Sequence, residues 1–313
     1  MSRRMILIAL LSGTAFAAPA MGQEAAPQPA YDEGDIVVTA QRRESRLQDV
    51  PQAVTAFSAD TLQRLAIRDT ESLVRNTPSL TFTPVGPGES NIGLRGLTTD
   101  LGLAPAVAVY INDTPFDFRT DAYSGTPNID LFDMQRIEVL RGPQGTLFGS
   151  SSTGGTVRYI TNQPDASGFD AHGEAFVNSV KGGGEGYGAK AAVNLPLAPN
   201  AALRLTGTYE KIAGYIDRYD ATLAGLTSPE SADALVEKNA NDAEIFSLRG
   251  AVRLEAGDDL VITPSLYFQR IDADNPIATQ TNLAGFGRAS AVGAEPSRTD
   301  LLVANLTIEK DLG

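Results

Sequence analysis

Five of the fifteen residues from 141 to 155 are glycine. Such a run can cradle a phosphate with main-chain N–H groups. This one, Arg141-Gly142-Pro143-Gln144-Gly145-Thr146-Leu147-Phe148-Gly149 with Thr153-Gly154-Gly155 beyond it, lacks the Gly-Lys-Ser/Thr ending of a P-loop. None of its serines has a glycine two places before and two places after, as a nucleophile elbow needs. Cysteine is absent and His172 is the only histidine, which removes thiolate sites, His-rich zinc sites and any Ser/His triad that does not use that ring. Acid, base and nucleophile converge in no motif, so neither an enzyme nor a bound metal or cofactor is expected. What remains is main-chain recognition. In Asp35-Ile36-Val37-Val38-Thr39-Ala40 the β-branched residues favour an extended backbone. A short strand of this kind can complete another protein's sheet through main-chain hydrogen bonds, or it can be the first strand of the domain that follows.

These residues are carried by a chain of 313 residues, 42% hydrophobic and 20% charged, with a formal net charge of -13. That is apolar material enough to exclude disorder throughout. With Lys+Arg 25 against Asp+Glu 38 there is no positive excess to displace counterions from a phosphate backbone, and nucleic acid is not an expected partner. After the first twenty residues no apolar run reaches the roughly 18 to 20 that a membrane-crossing helix needs. Residues 1–23 begin with Arg3 and Arg4, pass through an apolar run and end in small residues, the layout of a signal peptide, so the mature chain is expected to be exported. Residues 24–45 follow as a flexible leader, which up to Ala30 is Ala, Pro, Gln and Glu with nothing to bury in exchange for ordering entropy. The β-branched segment sits inside this leader.

Residues 46–164 read as a compact α/β domain. After a strand over 53–57, Ser58 is placed to cap a helix with Leu62, Leu65 and Ala66 on one face, and Asp69 to cap a second through Leu73 and Val74, stopped by Pro78. Extended segments follow at 91–97, 106–112, 135–141 and 156–161, separated by Gly and Pro clusters. From residue 169 the period becomes two. Tyr187, Ala189, Ala191, Val193 and Leu195 oppose Gly188, Lys190, Ala192 and Asn194, and the same split recurs in later segments. Six strands are expected, at about 171–180, 186–195, 201–213, 245–255, 259–271 and 299–310, each near the 9 to 11 residues that cross a bilayer when tilted. The connections at 196–200 and 256–259 are short, while those at 214–244 and 272–298 are long and polar. A transmembrane barrel has this rhythm, and a structureless loop of some thirty residues is foreign to a compact soluble domain.

Taken in order, these features resemble the TonB-dependent outer-membrane receptors, over nearly the whole mature chain. Asp35, Ile36, Val37, Val38, Thr39 and Ala40 look like the TonB box. Val50-Pro51-Gln52-Ala53-Val54, Ile92-Gly93-Leu94-Arg95-Gly96, Val109-Tyr110-Ile111-Asn112-Asp113 and Ile137-Glu138-Val139-Leu140 running into the glycine-rich stretch look like plug-domain motifs. The resemblance implies an α/β plug domain at 46–164 followed by antiparallel transmembrane β-barrel strands at 169–313, in the outer membrane of a Gram-negative cell. It implies TonB as a periplasmic partner pairing with the box, outer-membrane lipid around the barrel, and energised uptake of a scarce ligand, a ferric siderophore first. Arg95 and Arg141 match arginines that pair with barrel carboxylates and hold the plug in place. Among the plug loops at 84–90, 98–104 and 117–127, Phe118, Arg119 and Tyr123 are candidates for ligand contact. No further periplasmic domain fits between signal peptide and box, so the likeness is to plain transporters.

The family's barrels have about 22 strands, against six here. Strands about 4.8 Å apart and tilted about 40° occupy roughly 6.3 Å of circumference each, so six would close at a radius of about 6 Å. A plug of this size has an outer radius near 18 Å and calls for roughly 18 strands or more. The chain is therefore expected to be the N-terminal portion of a longer receptor. The alternatives are an exported plug that only binds a ligand or TonB, and a non-functional truncated receptor.

Overall fold

The computed structural model describes residues 36–40, 43, 45–98, 105–116, 126–220, 235–257, 259–275, 287–290 and 294–311. The expected signal peptide, the leader up to Asp35, and Phe118, Arg119 and Tyr123 lie outside the described residues. The first elements are two short antiparallel strands, β1 (Val37–Val38) and β2 (Ser45–Arg46). The compact domain follows with β3 (Val54–Ser58), α1 (Ala59–Arg64), α2 (Thr70–Arg75), β4 (Leu80–Gly86), β5 (Glu89–Leu94), β6 (Val107–Ile111), β7 (Thr114–Pro115), β8 (Thr126–Pro127), β9 (Met134–Arg141), α3 (Gly145–Phe148) and β10 (Gly155–Thr161).

Five of these strands form a mixed sheet in the order β3-β9-β10-β6-β7, with β10 and β6 parallel. Of its central strands β6, Val-Ala-Val-Tyr-Ile, is buried along its whole length and reads as a nearly unbroken apolar run, whereas β9 and β10 interleave charged residues with apolar ones. In β6, Val107, Val109 and Ile111 enter one core with Phe57, Leu62, Leu73, Ile137, Val139, Val157 and Tyr159. Ala108 and Tyr110 enter a second with Val38, Ala40, Ala56, Leu140 and Phe148. Helices α1 and α2 start where their caps dictate. The Ser58 hydroxyl accepts from the Thr61 amide, and Asp69 and Ser72 form a reciprocal capping box. The expected apolar face of α1 is narrower than its spacing suggests: Leu62 is buried, but Leu65 is exposed and Ala66 turns to φ 51, leaving Ile67 to fill the core. The pair β4 and β5, with β8 alongside, makes a further three-stranded sheet that places residues 84–90 in a hairpin rather than a free loop. Pro84 is tolerated because β4 is an edge strand.

From residue 170 the strands are β11 (Asp170–Ser179), β12 (Glu185–Ala198), β13 (Ala201–Ile212), β14 (Asp217–Asp220), β15 (Leu235–Glu237), β16 (Ala243–Glu255), β17 (Leu260–Ala273), β18 (Gly287–Ser290) and β19 (Ser297–Lys310). Six of them, β11-β12-β13-β16-β17-β19, pair antiparallel in one sheet. The two long connections are not structureless: β14 pairs with both β15 and β18, the latter in parallel, as a separate small sheet.

The six long strands reverse the usual sense of burial. Their polar positions, among them Lys190, Asn194, Arg204, Thr206, Ser247 and Gln269, are buried, whereas Tyr187, Leu205, Leu248, Leu266, Leu306 and Ile308 are exposed, with Leu302 at 64%. The registers set these exposed side chains in rows across the strands, one running Val193, Leu205, Gly250, Leu266, Ala304. Above the apolar rows come Tyr209, Phe246 and the pair Arg270–Asp300, then Lys211, Glu244 and the pair Asp272–Arg298. An apolar band closed at one end by aromatic and then charged side chains fits a sheet whose outer face meets hydrocarbon.

Candidate functional site

Two sets of contacts fix what can move. The first holds the β-branched segment. Val37 and Val38 pair with Arg46 and Ser45, and the Leu47 amide donates to Ile36 O at 2.8 Å. Val38 and Ala40 are wholly buried in the second core. Thr39, between them, meets charged groups instead. Its amide donates to Glu138 Oε1 at 2.8 Å, Arg158 Nη1 donates to its carbonyl at 2.8 Å and its hydroxyl at 2.7 Å, and Arg136 Nη2 donates to the hydroxyl at 3.0 Å. The sheet register creates this cluster, because Glu138 on β9 lies directly opposite Arg158 on β10. Glu138 is fully buried and also accepts from Arg136 Nε and Arg158 Nη1, each at 2.8 Å, while Arg158 reaches Asp113 at 3.2 Å. A buried carboxylate is sustainable only with that many charged donors. The segment expected on a solvated tether is thus docked, and Asp35 lies outside the described residues.

The second set is a seam between the compact domain and the large sheet. Residues 128–133 run across the long strands, several of which contribute a polar side chain from the buried face. Lys190 of β12 pairs with Asp130 at 2.8 Å. On β13, Arg204 Nε donates to Asp133 Oδ2 at 2.9 Å and Thr206 donates to the same oxygen at 2.8 Å. Arg249 of β16 donates to Phe132 O, and Gln269 Nε2 of β17 to Asn128 O at 3.0 Å. On β19, Thr299 donates to Glu89 at 2.9 Å. Phe116 meets Tyr267 edge-on at 5.6 Å in the apolar middle. His172 stands between Asp133, at 3.6 Å, and Asp170, at 3.4 Å. Burial pushes the Asp133 carboxyl up, but hydrogen bonds from Arg204, Asn162 and Thr206 outweigh it and hold the group below its ordinary value. At Glu89 burial prevails over the Thr299 bond and the value is raised.

The residues expected to join the two parts, Arg95 and Arg141, stand just after β5 and at the end of β9. Arg95 is exposed at φ 56, and Arg141 donates to Thr55; among the described residues neither pairs with a carboxylate of the long strands. The hairpin at 84–90, expected to offer ligand contacts, packs its turn on the sheet: a Cβ added to Gly88 would lie 2.7 Å from Ile245 Cδ1. The glycine-rich run serves close approach. A Cβ on Gly155, at φ 151, would fall 2.2 Å from Leu140 O and 2.4 Å from Leu94 Cδ2. Sequence reasoning missed Asp130, Asp133, Glu138 and Arg158 as contact residues. For Asp130 and Asp133 the charged residues at polar-face positions, Lys190 and Arg204, were the available signal. A cavity of about 330 Å³ is lined by residues of both sets, Thr39, Arg136 and Arg158 together with Asp133, Arg204 and Arg249.

Residues 46–156 match the family model of the TonB-dependent receptor plug domain. The pesticin receptor of Yersinia pestis is 34% identical over 139 residues, which cover 44% of this chain and 20% of that receptor. The ferrienterobactin receptor of Escherichia coli is 27% identical over 82% of this chain and 37% of the relative. The chain therefore spans well under half the length of these curated relatives. Among solved structures, the ferripyoverdine receptor of Pseudomonas aeruginosa superposes with a TM-score of 0.63 at 18% identity, covering 86% of this chain and 34% of that one. The ferric yersiniabactin uptake receptor of Yersinia pestis gives 0.61 at 20% identity, covering 82% and 38%. Both share the fold of a plug followed by barrel strands.

Proposed function

Because this chain belongs to the TonB-dependent receptors, with the family's plug domain ahead of antiparallel barrel strands, we propose that it serves energised uptake of a scarce ligand across the outer membrane. The cargo class is a ferric siderophore, supported by relatives named for ferrienterobactin and ferripyoverdine. The observation that carries the reading is the reversed burial of the six long strands. A sheet that hides Lys190, Arg204 and Gln269 and exposes Leu205, Leu302 and Leu306 has its plug inside and lipid outside. TonB is the proposed partner of residues 35–40, since pulling from the periplasm requires an extended segment able to pair by its main chain. Arg95 and Arg141 remain proposed contacts to barrel strands other than these six.

Among the described residues β11 and β19 each have a neighbour on one side only, which supports the view that further strands complete the cylinder, because unpaired strand edges do not persist in lipid. Growth on defined ferric siderophores as sole iron source, in cells carrying the complete gene or a deletion of residues 36–39, tests the proposal. The deletion is expected to abolish growth without lowering the amount of receptor in the membrane. Unimpaired growth would remove the coupling role of that segment.

A further inference from the structure

Resting on the proposed function of the β-branched segment, we infer that Glu138, Arg158 and Arg136 are positioning residues that clasp Thr39 and keep that segment from pairing. The clasp uses the main chain itself. The Thr39 amide is spent on Glu138 and its carbonyl on Arg158. Those are the groups a partner strand would engage here, and Ser45 and Arg46 already pair with Val38 and Val37. Val38 and Ala40 are also fully buried. A partner can therefore take the segment only after the clasp opens, and its apparent affinity is reduced by the fraction of time the clasp is shut.

The hydroxyl of Thr39 is the point at which the clasp can be loosened without disturbing the ion pairs. It accepts from Arg158 at 2.7 Å and Arg136 at 3.0 Å and donates to Glu138 Oε1 at 3.4 Å, while Glu138 keeps both guanidinium groups when the hydroxyl is gone.

The chain has no cysteine, so single cysteines report local opening directly. Val38→Cys is reacted with a maleimide in isolated membranes, in the parent chain and with Thr39→Val or Thr39→Ser added. Val157→Cys, buried in the other core, reports the domain as a whole. Thr39→Val is expected to speed labelling at position 38 about tenfold or more, the loss of hydrogen bonds to charged donors, with Thr39→Ser near the parent rate and position 157 protected throughout. An unchanged rate at position 38, or equal exposure of 38 and 157, overturns the clasp. In a second arm the purified periplasmic domain of TonB is the probe. Arg136→Gln, outside the paired segment, is expected to bind it several-fold tighter than the parent, and equal or weaker binding overturns the competition. Absence of TonB binding to parent and variant alike is instead the failure of the proposed partner, and the labelling rates do not depend on it.

Discussion

Asp133 holds the seam. Its carboxylate takes donors from Arg204, Thr206 and Asn162, and its φ of 59 is one that Asp and Asn adopt more readily than most residues. Asp133→Asn keeps that backbone and most of the shape but removes the close counter-charge of the buried Arg204, leaving only the exposed and more distant Asp170, at a cost of about 3 kcal/mol. A clear drop in the urea midpoint of the complete receptor reconstituted in a membrane is expected. Asp170→Asn, which removes only the exposed partner at 3.7 Å from Arg204, is expected to shift it by less than about 0.5 kcal/mol. The pH dependence follows from the lowered value. Because the folded carboxyl lies below its ordinary 3.8, the contribution is complete above 3.8 and is lost only as pH falls through the lowered value. The parent midpoint should owe no loss to this pair between neutral pH and about 4, as a pH series of urea curves would show.

At the scale of elements, period two did most of the work. The strands expected at 201–213 and 299–310 stand at Ala201–Ile212 and Ser297–Lys310, because alternate residues face chemically opposite surroundings and leave a pattern no helix would. Ser58 and Asp69 likewise announced their helices by local hydrogen bonding. Elements without a local signature escaped: β4 carries a proline, and β14, β15 and β18 are too short for any period to show. The same limit governed the site. The β-branched segment was legible as a strand, but the groups that hold Thr39 lie about a hundred residues away and are brought to it only by the sheet register. The exposed strand face gives a direct expectation. Leu205→Arg, midway along β13 between Val193 and Gly250, should cost about 2 to 4 kcal/mol in lipid. At an ordinary water-exposed surface the same change would stay within about 0.5 kcal/mol. Urea unfolding in phospholipid vesicles distinguishes the two.

For the whole molecule, plug and sheet are joined by polar contacts around an apolar centre, while the strand faces turned away from the plug have no protein cover among the described residues. Such a molecule makes sense only with hydrocarbon as one of its solvents. The measurement that bears on this most directly is paramagnetic accessibility of nitroxides placed one at a time from residue 246 to 254 of β16, in lipid bilayers. Collisions with oxygen, which concentrates in hydrocarbon, should peak at 246, 248, 250, 252 and 254 and fall at the residues between. Collisions with a water-soluble nickel complex peaking at those same even positions, or no alternation at all, would contradict a lipid-facing sheet wrapped around a plug.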